Sequence, residues 1–115
     1  PVWSPDGRYL AFQEVLGYEG SGYFAYYDFE SSTYQSWEEA IGLFDWSPDG
    51  TKIIYDRLTY TATGDERIFI RDLIGGAEQM ITTDITSGYG FAPAFSPHGD
   101  RIAYFAHDGV RDFEV

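Results

Sequence analysis

The sequence has no cysteine and no asparagine, one methionine, one lysine, and 7 basic residues against 19 acidic ones in 115 positions. Without cysteine there is no disulfide framework, no thiolate nucleophile and no zinc–thiolate site. Without asparagine there is no N-glycosylation sequon. A net charge of -12 sets the chain against nucleic acid and against anionic membrane surfaces. Phosphate binding needs a basic patch, and each carboxylate opposes it. No run approaches the roughly 18 apolar residues of a membrane helix, and no segment reads as a signal peptide. What the sequence has in quantity is apolar and aromatic side chains, 43% and 19% of the residues. So many rings would be left wet in a disordered chain, so a packed fold is expected. The length allows one small domain. The chain opens inside a motif at Pro1-Val2-Trp3, without an initiator methionine, and is expected to be a piece of something longer.

The organising feature is an internal repeat. Three segments align without gaps: WSPDGRYLAF from Trp3, WSPDGTKIIY from Trp46 and FSPHGDRIAY from Phe95, with starts 43 and 49 residues apart. Each keeps the Ser-Pro pair, the glycine at offset four and apolar residues at offsets seven and nine: Leu10 and Phe12, Ile53 and Tyr55, Ile102 and Tyr104. Ser-Pro-Asp-Gly is a type I turn. Proline presets φ near -65°, aspartate tolerates the bridge region and glycine supplies the left-handed residue that follows. His98 stands where the other copies have aspartate, which weakens that turn slightly without removing its geometry.

A strand therefore ends at Trp3-Ser4, and a second runs from Arg8 to Val15. Phe24 to Asp28 matches Ile68 to Asp72 as a third strand. Turns follow at Glu30-Ser31-Ser32 and Gly75-Gly76, and fourth strands at Tyr34 to Glu38 and Glu78 to Thr82. No helical periodicity is visible. Glu38-Glu39-Ala40-Ile41 is too short to propagate as a helix. Four short antiparallel strands in roughly 43 to 49 residues make one propeller blade. The expected fold is all-β, an incomplete ring with blades at 1–44 and 45–93 and a partial blade at 94–115. Asp112-Phe113-Glu114-Val115 aligns with Arg67-Ile68-Phe69-Ile70, so the third blade is expected to stop in the middle of its third strand.

The W/F-S-P-D-G turn, the apolar strand after it, and the ending from Asp72-Leu73-Ile74-Gly75-Gly76 to Ile81-Thr82 resemble the WD-like β-propeller repeats of TolB-type proteins. The resemblance covers nearly the whole chain. It implies a binding or assembly scaffold and a prokaryotic, extracytoplasmic (periplasmic or extracellular) setting. It is specific for fold rather than activity, because the motif residues build turns and strands. A second reading makes the chain the propeller of a serine peptidase resembling the prolyl oligopeptidase or tricorn groups, with the catalytic domain elsewhere. A propeller closes with roughly four to eight blades. Two and a half leave open, aromatic sheet faces, to be covered by further blades of the same polypeptide or by neighbouring copies.

Strand direction places the Ser-Pro-Asp-Gly and Gly-Gly turns at one end of each blade. The segments 16–22, 41–44, 59–65, 83–92 and 106–110 fall at the other end and read as the longer, more varied set. Binding residues favour long loops on a rigid scaffold, so Tyr18, Glu19, Tyr60, Asp65, Tyr89 and Phe91 are the candidate binding residues, for a protein partner. Their other reading is cover for hydrophobic blade edges. Trp3, Trp46 and Phe95 share one repeat position and are expected in the packing between blades. Catalysis, a metal and a cofactor are not expected. His98 and His107 are the only neutral-pH bases and lack partners at a useful spacing, and Gly20-Ser21-Gly22 is no nucleophile elbow. Gly64-Asp65-Glu66 lacks the alternating oxygen ligands of a calcium loop.

Overall fold

The structure, a computed structural model, describes residues 1–15, 22–58, 66–82, 90–106 and 109–115. Eleven strands, β1 (Val2–Trp3), β2 (Tyr9–Val15), β3 (Gly22–Asp28), β4 (Thr33–Ile41), β5 (Phe44–Trp46), β6 (Lys52–Leu58), β7 (Glu66–Asp72), β8 (Glu78–Met80), β9 (Gly90–Phe95), β10 (Arg101–Ala106) and β11 (Gly109–Glu114), form three antiparallel sheets. Their orders are β1-β2-β3-β4, β5-β6-β7-β8 and β9-β10-β11. No described residue is helical.

The repeat motif sets each sheet's first hairpin. Gly7, Gly50 and Gly99 have φ of 75°, 73° and 77°, the left-handed region that glycine enters at low cost. Their N–H groups donate to Ser4, Ser47 and Ser96 carbonyls at 2.9 Å. In the first two copies a carboxylate locks the turn. Asp6 accepts the Ser4 hydroxyl at 2.6 Å and the Arg8 N–H at 3.1 Å, and Asp49 accepts Ser47 at 2.6 Å and the Thr51 N–H at 3.0 Å. The third copy keeps its turn because Asp100, two residues beyond His98, accepts the Ser96 hydroxyl at 2.9 Å.

The sheets stack face on face. Between the first and second lie Tyr9, Ala11, Phe24 and Tyr26 on one side and Trp46, Ile53, Tyr55, Phe69 and Leu73 on the other. Between the second and third lie Ile54, Ile68, Ile70 and Ile81 against Ile102, Tyr104 and Ala106. Strand alternation produces this. In β10, Ile102, Tyr104 and Ala106 are buried, and Arg101, Ala103 and Phe105 face out.

Several sequence expectations change. β4 runs on to Ile41, three residues past the expected end, because Tyr23 and Gly22 continue to pair with Ala40 and Ile41. β8 stops at Met80, two residues short of Thr82. The third strand of the last sheet is not cut in its middle. Glu114 pairs with Arg101 as Asp72 pairs with Lys52. The Val115 N–H bonds the Asp100 carbonyl, as Leu73 bonds Thr51 and Phe29 bonds Arg8. The gapless alignment failed because β11 starts at Gly109, three residues after β10 ends at Ala106, whereas β7 starts at Glu66, eight residues after β6 ends at Leu58. The 41–44 link is equally tight, with Gly42 and Leu43 between β4 and β5. Of the three equivalent aromatics, Trp46 is 4% exposed and Phe95 is half-buried against the third sheet's cluster. Trp3, expected in the core, is 54% exposed, with Phe29 5.1 Å away as its ring neighbour. Among the described residues Trp3 belongs to neither packed cluster between sheets.

Candidate functional site

Five of the six candidate binding residues, Tyr18, Glu19, Tyr60, Asp65 and Tyr89, lie outside the described residues, as do His107 and Asp108. The sixth, Phe91, sits on β9 rather than in a loop, is 39% exposed, and stacks on Phe105 with ring centroids 5.6 Å apart. It borders a hollow of about 270 Å³ at the end of the blades where β7 and β9 begin, shared with Gln13, Gly42, Leu43, Asp56 and Glu66.

The repeat explains what gathers there. Gln13, Asp56 and Phe105 each follow the second apolar residue of the motif, Phe12, Tyr55 or Tyr104, and each faces the next sheet position round the stack. The Gln13 amide donates to the Ile41 carbonyl at 3.0 Å and to the Gly42 carbonyl. Asp56 accepts the Leu43 N–H at 3.0 Å on one oxygen and the Ala92 N–H at 2.8 Å on the other. It therefore touches both the entry into its own sheet and the entry into the next. Gly42 permits this, because a Cβ there would stand 1.9 Å from Asp56 Oδ1. Burial pushes the Asp56 carboxyl above its ordinary range, against the pull of these two N–H groups. Burial and the Asp56 charge push Glu66 up as well.

Sequence reasoning passed over Gln13, Asp56 and Glu66. For Gln13 and Asp56 the available signal was a polar residue directly after the second apolar residue of the motif, and Glu66 carried no repeat signal.

A second hollow, of about 340 Å³, lies at the opposite end between the turns of the first two sheets, with Asp6, Arg8, Asp49, Thr51, Asp72 and Ile74 among its lining residues. Asp6 and Asp49 are held below the ordinary carboxylate range, first by the Ser4 and Ser47 hydroxyls and then by the N–H groups of Arg8 and Thr51. They are ionised turn locks. His98 is exposed in its turn. Among the described residues no three His, Cys, Asp or Glu are grouped so as to hold a metal ion, and no helix is long and apolar enough to cross a membrane.

No family model matches the chain. It is 30% identical over 104 residues to a protein TolB homolog of Chlorobium chlorochromatii, a match spanning 90% of this chain and 22% of that protein. Its fold is similar to a putative TolB from Agrobacterium tumefaciens, with a TM-score of 0.73 at 20% identity over 98% of this chain and 44% of that one. It is similar also to the tricorn protease, with a TM-score of 0.67 at 18% identity over 90% of this chain and 10% of that one. The chain thus spans about a fifth of the curated relative and under half of the first of these structures.

Proposed function

Starting from the chain as a segment of TolB-like β-propeller blades, we propose that it is a non-catalytic module for protein–protein binding or scaffold assembly. It works as part of a larger ring and in a periplasmic or extracellular setting. The observation that carries this reading is the outward face of the first sheet. In the second and third sheets, Ile53 and Ile102, Tyr55 and Tyr104, and Trp46 are buried by the sheet before them. The same positions of the first sheet, Leu10, Phe12 and Trp3, have no such cover, and Phe29 and Tyr34 stand exposed beside them. A face built to the blade pattern calls for another blade. The partner-binding surface is the end bearing Phe91, together with Tyr18, Glu19, Tyr60, Asp65 and Tyr89.

Mass spectrometry of the native protein tests the assembly half of the reading. A denatured mass well above 13 kDa places the remaining blades in the same polypeptide, and a 13 kDa chain with a larger native mass places them in neighbouring copies. A 13 kDa native monomer would defeat both forms. The binding half is tested by replacing Tyr18, Tyr60 and Tyr89 together, which should weaken partner capture and leave the fold intact.

The likeness to the tricorn protease favours one further reading, a blade set that gates a serine peptidase domain elsewhere in the polypeptide. A fluorophosphonate-labelled serine in the intact source protein supports it, and an unlabelled protein removes it.

A further inference from the structure

Three arginines of this chain are placed alike. Arg8 lies 4.8 Å over the Tyr9 ring and pairs with Asp28 at 3.0 Å. Arg57 lies 3.9 Å over Phe69 and pairs with Glu78 at 3.0 Å. Arg71 lies 4.0 Å over Trp37 and pairs with Glu39 at 3.1 Å. Each guanidinium has a ring on one side and a carboxylate beside it, the two contacts that a flat, forked cation makes together.

The hollow at the start of β7 and β9 has a ring and a carboxylate, and no arginine among its described lining residues. Phe91 supplies the ring. Phe105 stacks on it, and the residue is still 39% exposed. Glu66 supplies the carboxylate. It is half-buried, and among the described residues it has no cation partner, only the pressure of burial and of the Asp56 charge. Asp56 pairs with Ile68 and Leu58 pairs with Glu66, so the two carboxylates share a face of the second sheet. The basic residues next to them in sequence, Arg57 and Arg67, alternate to the opposite face. The Gln13 amide nitrogen is committed to the Ile41 and Gly42 carbonyls, which leaves its oxygen as an acceptor. Leu43, 61% exposed, gives the rim an apolar side. At about 270 Å³ the hollow is smaller than the roughly 300–1,000 Å³ of a small-molecule site and suits a single long side chain.

Given that this end of the blades is the partner-binding surface, a reading on which the assignment rests, we propose that the hollow receives an arginine side chain of the protein partner. The guanidinium stacks on Phe91 and gives its N–H groups to the Glu66 carboxylate, while its stem runs over Leu43. The chain's own three pairs of ring and carboxylate thereby gain a fourth, completed from outside. Asp56 keeps both oxygens on backbone N–H groups and acts through its charge, since a cation beside Glu66 offsets the repulsion between the two carboxylates. Lysine would bring a compact, strongly hydrated charge and lose the stacking. A metal ion fits less well, because among the described residues no three His, Cys, Asp or Glu are grouped to hold one.

The test titrates N-acetyl-arginine amide into the intact protein at low salt and follows the Leu43, Glu66 and Phe91 amides by NMR. N-acetyl-citrulline amide, of the same shape without the charge, is the control, and N-acetyl-lysine amide is the competitor. The arginine probe should shift the three amides saturably, the citrulline probe should leave them in place, and the lysine probe should bind about threefold more weakly. Glu66→Gln should weaken the arginine probe about fivefold, and Phe91→Leu about threefold. Both side chains are partly exposed, so the variants should fold, and the comparison of arginine with citrulline needs no variant. Equal shifts with arginine and citrulline, equal affinity for lysine, or shifts spread over the acidic surface and indifferent to Glu66→Gln would each overturn the proposal. The probe reads the hollow alone and the triple tyrosine replacement reads partner capture, so the two readings fail separately.

Discussion

The two sheet junctions of this chain are built on one repeat and held by different chemistry. Between the first and second sheets the contact is aromatic. Tyr9 stacks on Trp46 with centroids 5.8 Å apart, and Phe24 meets Phe44 edge-on at 5.3 Å. Above these rings Arg71 lies 4.0 Å over Trp37 and pairs with Glu39, which also takes Arg57. Between the second and third sheets the contact is aliphatic, Ile54, Ile68 and Ile70 against Ile102 and Tyr104, and its polar ties run from Asp45 and Asp56 to backbone N–H groups. The turn and strand residues fix where each sheet lies. Facing side chains need only fill the space, so the repeat tolerates an indole in one junction and isoleucines in the other.

The largest expected effects come from the packed faces. Trp46→Ala removes a ring from the centre of the first junction and should cost about 3–5 kcal/mol in urea denaturation. Trp3 occupies the same repeat position, yet Trp3→Ala should cost no more than about 1 kcal/mol, since most of that ring is already in water. Equal losses at the two positions would mean that Trp3 is covered in solution, as the assembly reading requires of the complete ring.

Next is the carboxylate tie. A methyl at residue 42 would overlap the Asp56 carboxylate, so Gly42→Ala must displace a side chain that two N–H groups hold in place. Loss of those bonds in a buried site costs about 1–3 kcal/mol. The effect should be confined to the second junction. The Ala92 amide should lose protection, and the Trp46 fluorescence should stay unchanged. A fluorescence shift without loss at Ala92 would place the strain in the first junction instead.

The charged layer of the first junction should matter less. Glu39 meets Arg57 and Arg71, and the side chains involved are between a fifth and a third exposed. Glu39→Gln should therefore cost about 1 kcal/mol at low salt. Most of that difference should vanish in about 1 M salt, where the screening length falls to about 3 Å. The second junction, tied through backbone N–H groups, should show no comparable salt dependence.

The junctions also divide what could be read from the residues alone. Ser-Pro-Asp-Gly announced its turns because proline and glycine act locally, and the apolar offsets marked strands whose cores are Ile53, Tyr55, Ile102 and Tyr104. Pairing across a connection is not local. The third strand of the last sheet departs from the gapless alignment because nothing in the letters shows that β11 starts three residues after β10 ends, whereas β7 starts eight residues after β6 ends. Asp56 went unnoticed for a related reason. Its partners, Leu43 and Ala92, are 13 and 36 residues away and are backbone groups, which leave no mark in a sequence. His98 looked like a defect in its turn. Asp100 shows how a neighbouring carboxylate takes over the Ser96 hydroxyl.

The smallest expected effect isolates the strain at the second junction. Ala92 has a φ of 52°, and glycine would adopt that angle without a Cβ conflict. Relief of about 1 kcal/mol of left-handed strain competes with about 0.5 kcal/mol of extra backbone entropy in the unfolded glycine chain. Ala92→Gly should then stabilise the protein by about 0.5 kcal/mol, provided that the N–H bond to Asp56 survives. Combined with Asp56→Asn the gain should grow, because a link without strain depends less on the Asp56 bond. If Ala92→Gly instead destabilises the chain, the left-handed backbone there is held by the packing of β9 on the second sheet. The first junction should not respond in either case.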